Sequence, residues 1–267
     1  MRIEAVDLKR LAGEEEYVAE HADTFGWDLR RPVVVVVAEI DPQAPGDEPP
    51  TREQRRRWQS RFCAAWRQVS RDLDSRIPSV DFSSEVVTLL PLPEGDVAEP
   101  VAGHDVVRRA VLAVAGDRGG GRRPFSVGVS RVARSLEELP EAYAQARRAV
   151  EVGRRVKGGR STTFFDQLGL HRLIALIPDN GELRAFGHDV LGPLAESTKE
   201  AADLRETLQV LLDTNFNVAE AARLQFFHYN TMRYRVSKLE RLLGPLSSDP
   251  HLRLDVAVAL RVLEIAG

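Results

Sequence analysis

Apolar positions change their spacing several times along this chain. Val33, Val34, Val35, Val36 and Val37 form an unbroken β-branched run, closed by Pro32 before it and by Pro42, Pro45, Gly46, Pro49 and Pro50 after it. A short continuous run with such flanks predicts a strand buried on both faces. From Thr51 the spacing becomes helical, with Trp58, Phe62, Trp66, Val69 and Leu73 on one stripe and Cys63 beside it. Trp58 and Trp66 share that stripe and so read as core. Residues 80–82, the turn Ser83-Ser84 and residues 85–90 predict a hairpin, ended by Pro91 and Pro93. A helix over 105–115, a loop over 116–123, a strand over 125–129, a long helix over 136–156 and a last strand over 162–165 follow. That order predicts a mostly antiparallel sheet covered by helices.

After Asp166 nothing reads as a strand, and Pro178, Asn180-Gly181 and Gly192-Pro193 punctuate a series of short helices. The fold class expected is therefore α+β, a sheet-and-helix region followed by an all-α region. We divide the chain into a helical lead-in (1–27), an α/β domain (28–165), a helical connector (166–200) and a C-terminal helical domain (201–267).

Composition narrows the class. The 267 residues are 43% hydrophobic and 29% charged, which excludes disordered and fibrous chains and needs no disulfide or metal to stabilise a core. A single cysteine, Cys63, excludes an internal disulfide framework. No signal pattern opens the chain, and the longest apolar run, 33–38, is far short of the roughly 20 residues of a membrane helix. The expectation is a cytoplasmic protein with no membrane partner. Net charge is −3, so any nucleic-acid role must reside in a local patch.

Such a patch lies within residues 204–244. Leu204, Leu208, Leu211 and Leu212 mark a helix that runs out at Asn215. A short helix over 218–224 follows, rich in the small residues Ala219, Ala221 and Ala222 that let helices approach closely. After a turn of four residues, a longer helix over 230–243 stops at Gly244-Pro245. Short helix, tight turn and longer helix make a helix-turn-helix. At about 100° per residue, Met232, Val236, Leu239 and Leu243 gather on one side of the second helix. Asn230, Arg233, Tyr234, Ser237, Lys238 and Arg241 gather on the other. From Arg223 to Arg241 there are five basic residues against the single acid Glu240. A solvated surface helix presents the same kind of face, so the wheel alone leaves both readings open.

The residues themselves go further. Asn217-Val218-Ala219-Glu220-Ala221-Ala222-Arg223-Leu224, then His228-Tyr229-Asn230-Thr231-Met232-Arg233-Tyr234-Arg235, then Leu242-Leu243-Gly244 resemble the C-terminal helix-turn-helix of the PucR/CdaR family of bacterial transcriptional regulators. His228, Asn230, Thr231, Tyr234 and Arg235 match that family's H-x-N-T-x-x-Y-R pattern. The resemblance extends through 249–263, where Asp249-Pro250 opens a helix apolar on most sides. Two features depart from the family and bear on operator choice: the bulky turn Gln225-Phe226-Phe227, whose two phenylalanines read equally as core, and Tyr229 where a basic residue is common. The resemblance implies a sequence-specific regulator that binds double-stranded DNA through His228, Tyr229, Asn230, Thr231, Arg233, Tyr234, Arg235, Ser237, Lys238 and Arg241. Arg233, Asn230 and Ser237 are expected nearest base edges, and Thr231, Tyr234, Arg235 and Lys238 towards phosphates. One such helix reads few base pairs, so a homodimer or higher homo-oligomer is expected, together with a small-molecule effector.

Residues 28–165 are similar to the degenerate GGDEF-like domain that precedes this helix-turn-helix in the same family. Residues 125–131 and 136–150, with Tyr143, Ala146 and Arg147, carry the similarity. The hairpin turn, Phe82-Ser83-Ser84-Glu85, has neither paired glycines nor an acidic pair for magnesium, so no cyclase activity is expected and Glu85 reads as a solvated charge. Gly119-Gly120-Gly121 precedes a strand, the reverse of a phosphate loop, and the six histidines form no metal-binding pair. We expect no catalytic residues, cofactor or metal; His228 reads as a capping or turn residue. The eight arginines of 51–76 offer contact with a nucleic acid or an anionic partner, but read first as a solvated face pairing with acids elsewhere. The competing class is a small-molecule or nucleotide-binding protein whose helical tail mainly dimerises.

Overall fold

The computed structural model describes residues 22, 24, 27, 29, 31–44, 46–82, 84–92, 104–116, 122–177 and 179–266. The expected lead-in lies almost wholly outside them, as do Ser83, Pro93, Gly119-Gly120-Gly121 and Pro178. The chain divides into two compact units, Met1–Arg172 and Leu173–Gly267.

The first unit is a five-stranded sheet in the order β2-β3-β1-β4-β5. Its strands are β1 (Val33–Ile40), β2 (Ser79–Phe82), β3 (Glu85–Pro91), β4 (Phe125–Ala133) and β5 (Thr162–Phe164). Only β4 and β5 pair in parallel. The valine run takes the central position that its burial on both faces requires. Val34, Val36 and Ala38 face α1 (Arg52–Leu73) and α2 (His104–Gly116), packing with Phe62, Trp66, Val107 and Val127. Val33, Val35 and Val37 face α3 (Leu139–Lys157), packing with Ala142, Ala146 and Val150. Between Val34 and Val36 the register with β4 shifts, and the Val35 N–H donates instead to Ser130 Oγ at 2.8 Å. Thr51 caps α1 through a capping box with Gln54, and buried Trp66 donates from its ring nitrogen to Thr88 Oγ1 at 2.8 Å.

Two expectations in this unit need correction. Trp58 is only partly buried, and the Arg123 guanidinium lies 3.5 Å over its ring, so the core stripe of α1 runs through Phe62, Cys63, Trp66 and Ser70. Glu85 is not a solvated hairpin charge. It is 7% exposed, accepts a short hydrogen bond from the Tyr143 hydroxyl, and lies 3.5 Å from Arg147 Nε. Burial raises the Glu85 carboxyl above the usual range, Tyr143 and Arg147 pull it back, and Glu39, its register partner on β1, raises it again.

Among its described residues the second unit holds helices and no strand: α4 (His171–Ile174) runs into it, then α5 (Asn180–Leu191), α6 (Lys199–Asp213), α7 (Val218–Leu224), α8 (Tyr229–Leu243) and α9 (Pro250–Ala266). Its core joins Leu191, Leu194, Leu204, Leu208, Leu211, Met232, Leu239, Leu246, Val256 and Leu260. The Asp249 carboxylate caps α9, accepting from the His251 and Leu252 N–H groups at 2.9 and 3.1 Å.

Gly128 marks the closest approach of β4 to α3. A Cβ there would stand 2.1 Å from the Ala146 carbonyl oxygen and 2.5 Å from the Val150 nitrogen, both backbone atoms that cannot move independently. Gly128→Ala should therefore destabilise the first unit by about 3 kcal/mol. Chemical denaturation measures this, and an unchanged midpoint would contradict such packing.

Candidate nucleic-acid interface

The site is assembled from three helices. The end of α6 turns through Asn215 and Phe216, at φ 50° and 61°. The Asn215 N–H donates to the Leu212 carbonyl at 3.0 Å and the Phe216 N–H to the Leu211 carbonyl at 2.6 Å, the paired bonds of a Schellman ending. Asn217 then caps α7, its side chain accepting from the Glu220 N–H at 3.2 Å. Ala221 and Ala222 are buried, which lets α7 pack closely against its neighbours.

The turn into α8 repeats the Schellman geometry. The Phe226 N–H donates to the Arg223 carbonyl at 3.2 Å and the Phe227 N–H to the Ala222 carbonyl at 2.9 Å, with Phe226 at φ 57°. Phe227 folds back against the second core, whereas Phe226 is 97% exposed. His228 is the N-cap of α8: its Nδ1 accepts from the Asn230 N–H at 3.2 Å, a capping role as its position suggested.

Along α8 the helical period separates two faces. Met232, Val236 and Leu239 are buried, and Leu243 is partly so. Tyr229, Asn230, Thr231, Arg233, Tyr234, Ser237 and Arg241 are all exposed. Among the described residues no carboxylate pairs with Arg223, Arg233 or Arg241, so the outward face carries uncompensated positive charge.

Arg235 and Lys238 behave differently from the expectation that they face phosphates. The Arg235 guanidinium turns towards α6, 2.7 Å from Thr207 Oγ1 and 2.7 Å from the Asp203 carboxylate, and lies 4.5 Å over the Phe227 ring. Its side chain is only 19% exposed. Lys238 is tied to Glu200 near the start of α6. Both positions flank the buried stripe, where partners on another helix decide which way a long side chain turns. Sequence reasoning missed these ties because Asp203 and Glu200 lie more than thirty positions away.

A second feature lies in the first unit. An open cavity of about 1020 Å³ is bounded by the end of β1, the first half of α1 and the hairpin end, with Arg55, Arg56, Trp58, Arg123 and Arg160 on its walls. Arg67 and Asp81 there are paired at 3.1 Å. Cys63 borders the cavity, but burial pushes its thiol up to about 11, so it is held as an unreactive thiol near neutral pH. Among the described residues no group of three or more His, Cys, Asp or Glu could hold a metal ion, and no helix is long and apolar enough to cross a membrane.

Comparison with known proteins accords with this layout. Residues 10–152, more than half of the chain, match the GGDEF-like domain, and residues 204–262 match the PucR C-terminal helix-turn-helix domain. The chain is similar to the purine catabolism regulatory protein of Bacillus subtilis, with 33% identity over 144 residues, or 53% of this chain and 26% of that protein. It is also similar to the proline-responsive transcriptional activator PutR of the same organism, with 22% identity over 144 residues, or 53% of this chain and 35% of that protein. It thus spans about a quarter to a third of the length of these relatives. An uncharacterized protein from Thermomonospora curvata is 37% identical over 82 residues, or 31% of this chain and 46% of that one.

The two arginines of α8 should separate by stability. Arg235→Ala removes a largely buried guanidinium that meets Thr207 Oγ1 and both the carboxylate and the backbone carbonyl of Asp203, and should cost about 1–3 kcal/mol. Arg233→Ala, on the exposed face, should stay within about 0.5 kcal/mol of the wild type. Urea denaturation of both variants checks this, and equal midpoints would contradict the inward placement of Arg235.

Proposed function

We propose that this chain, which belongs to the GGDEF-like domain family and carries a PucR C-terminal helix-turn-helix domain, is a sequence-specific DNA-binding transcriptional regulator. The observation that carries this reading is α8 itself. A helix anchored through Met232, Val236 and Leu239 holds Asn230, Thr231, Arg233, Tyr234, Ser237 and Arg241 bare on the opposite side. In a helix-turn-helix the N-terminal part of the second helix enters the major groove. Asn230, Arg233 and Ser237 then face base edges, Asn matching adenine and Arg matching guanine. Thr231, Tyr234 and Arg241 hold phosphates, with Tyr229 and His228 at the rim. Arg235 and Lys238 act indirectly, by fixing α8 against α6. One helix contacts few base pairs, so the working form is a homodimer or higher assembly on repeated half-sites. The reading includes no catalytic step, since the Glu85 carboxylate is engaged by Tyr143 and Arg147 within the fold.

The cavity of the first unit favours a second element, an effector site. Among the described residues Arg55 and Arg56 have no acidic partner, and Arg123 lies over the Trp58 ring. Unpaired guanidinium groups beside an aromatic face suit a planar, anionic metabolite. Bound to the folded state alone, it raises the unfolding temperature by an amount that grows with its concentration. A panel of phosphate- and carboxylate-bearing metabolites should contain at least one such compound, and Arg55→Ala/Arg56→Ala should abolish its shift. A panel without any concentration-dependent shift counts against this site.

The DNA reading is tested with a duplex selected from a random pool and a scrambled duplex of equal length. Arg233→Ala should weaken the selected duplex by about 1–3 kcal/mol and leave the scrambled one nearly unchanged. Arg241→Ala should weaken both alike and flatten the dependence on salt. Equal losses on both duplexes for both variants would overturn the division between base and phosphate contacts.

A further inference from the structure

Two phenylalanines in the second unit sit on left-handed backbone, and only one of them is accounted for by the fold. Phe216, at φ 61°, packs against the helical core and receives the Arg253 guanidinium at 5.3 Å over its ring. Phe226, at φ 57°, is 97% exposed, more than any other exposed large apolar side chain among the described residues. Its position is the C′ residue of the Schellman ending of α7, where glycine or asparagine avoids the clash of Cβ with the backbone. The equivalent position after α6 is indeed an asparagine, Asn215. Phe226 therefore carries both an unfavourable backbone conformation and an apolar ring in water, and it gains no burial in return.

Its surroundings indicate what offsets these costs. Phe226 lies two residues before His228, the cap of α8, so the chain between them spans at most about 7 Å. Exposed Arg223 precedes it on α7, and exposed Tyr229, Asn230 and Arg233 follow on the first turns of α8. In the DNA-binding reading this end of the helix lies in the major groove, and a ring there, flanked by Arg223 and Arg233, stands within reach of base edges. The apolar feature that the major groove offers is the C5 methyl of thymine. We propose that Phe226 is a specificity-determining residue that lays its ring against a thymine methyl at the edge of the bases faced by Asn230 and Arg233. This rests on the DNA-binding reading above.

The test replaces single thymines of the selected duplex by uracil, which removes the methyl group and nothing else. The full chain and Phe226→Ala are titrated against each duplex. For the wild type, one thymine in each half-site should cost about four-fold in affinity when replaced, the worth of one methyl group returned to water. Phe226→Ala should bind the parent duplex about four-fold more weakly or worse, and should be indifferent to that same replacement. Its unfolding midpoint, and that of Phe226→Gly, should match or exceed the wild type, because the left-handed position favours smaller residues. If no thymine couples to Phe226, or if Phe226→Ala binds the parent duplex as the wild type does, the proposal is overturned and the exposed ring serves a protein partner. Failure of the wild type to retain any duplex would instead refute the DNA-binding reading itself.

Discussion

Everything the second unit offers depends on one constraint: α8 must bury one side completely and leave the other bare. Met232 and Leu239 are fully buried, yet Arg233 and Tyr234, which follow Met232 directly, stand in solvent. A helix turning about 100° per residue achieves this only if it is prevented from rolling. The buried stripe resists rolling, and the Arg235 guanidinium adds a polar tie beside it. The guanidinium bridges to Asp203 and Thr207 on α6 and rests on Phe227 from the turn, so helix, turn and scaffold meet at one group. Lys238 and Glu200 add a second tie one turn along. Together they set which residues reach outward, and so which chemistry the unit presents.

The first unit follows a parallel logic in its sheet. A strand of consecutive valines has no polar side to turn towards water, so it must lie in the middle of the sheet with helices on both faces. The alternation of Val33, Val35 and Val37 against α3 with Val34, Val36 and Ala38 against α1 and α2 is that requirement met. Where β1 leaves the sheet, Asp41 takes up Ser126 Oγ, Arg154 and the Arg160 N–H, at 2.6, 2.9 and 2.6 Å. This cluster steadies the end of the strand at the wall of the arginine-lined cavity.

Much of this was legible from local pattern. The valine run, the hairpin, the short helix over 218–224 and the stop at Gly244 all rest on signals within a few residues, and each element stands where its pattern placed it. What escaped was decided across the fold. The burial of Glu85 follows from the approach of Tyr143 on α3, and the inward turn of Arg235 follows from Asp203, neither of which a helical wheel contains. Trp58 kept the core spacing but lies in the first half of α1, where the Arg123 guanidinium covers the ring. Phe226 left one usable trace. A bulky residue just past the cap of a helix, in the position that glycine usually takes, is a local contradiction of the kind that accompanies functional sites.

Whether the bare face of α8 reads DNA sequence is tested most directly without choosing an operator beforehand. The full chain is incubated with sheared genomic DNA at physiological salt, and the retained fragments are sequenced. Enrichment of a small set of fragments that share a repeated half-site is the expected result. Retention that merely mirrors the input, with no shared motif, would contradict sequence-specific binding.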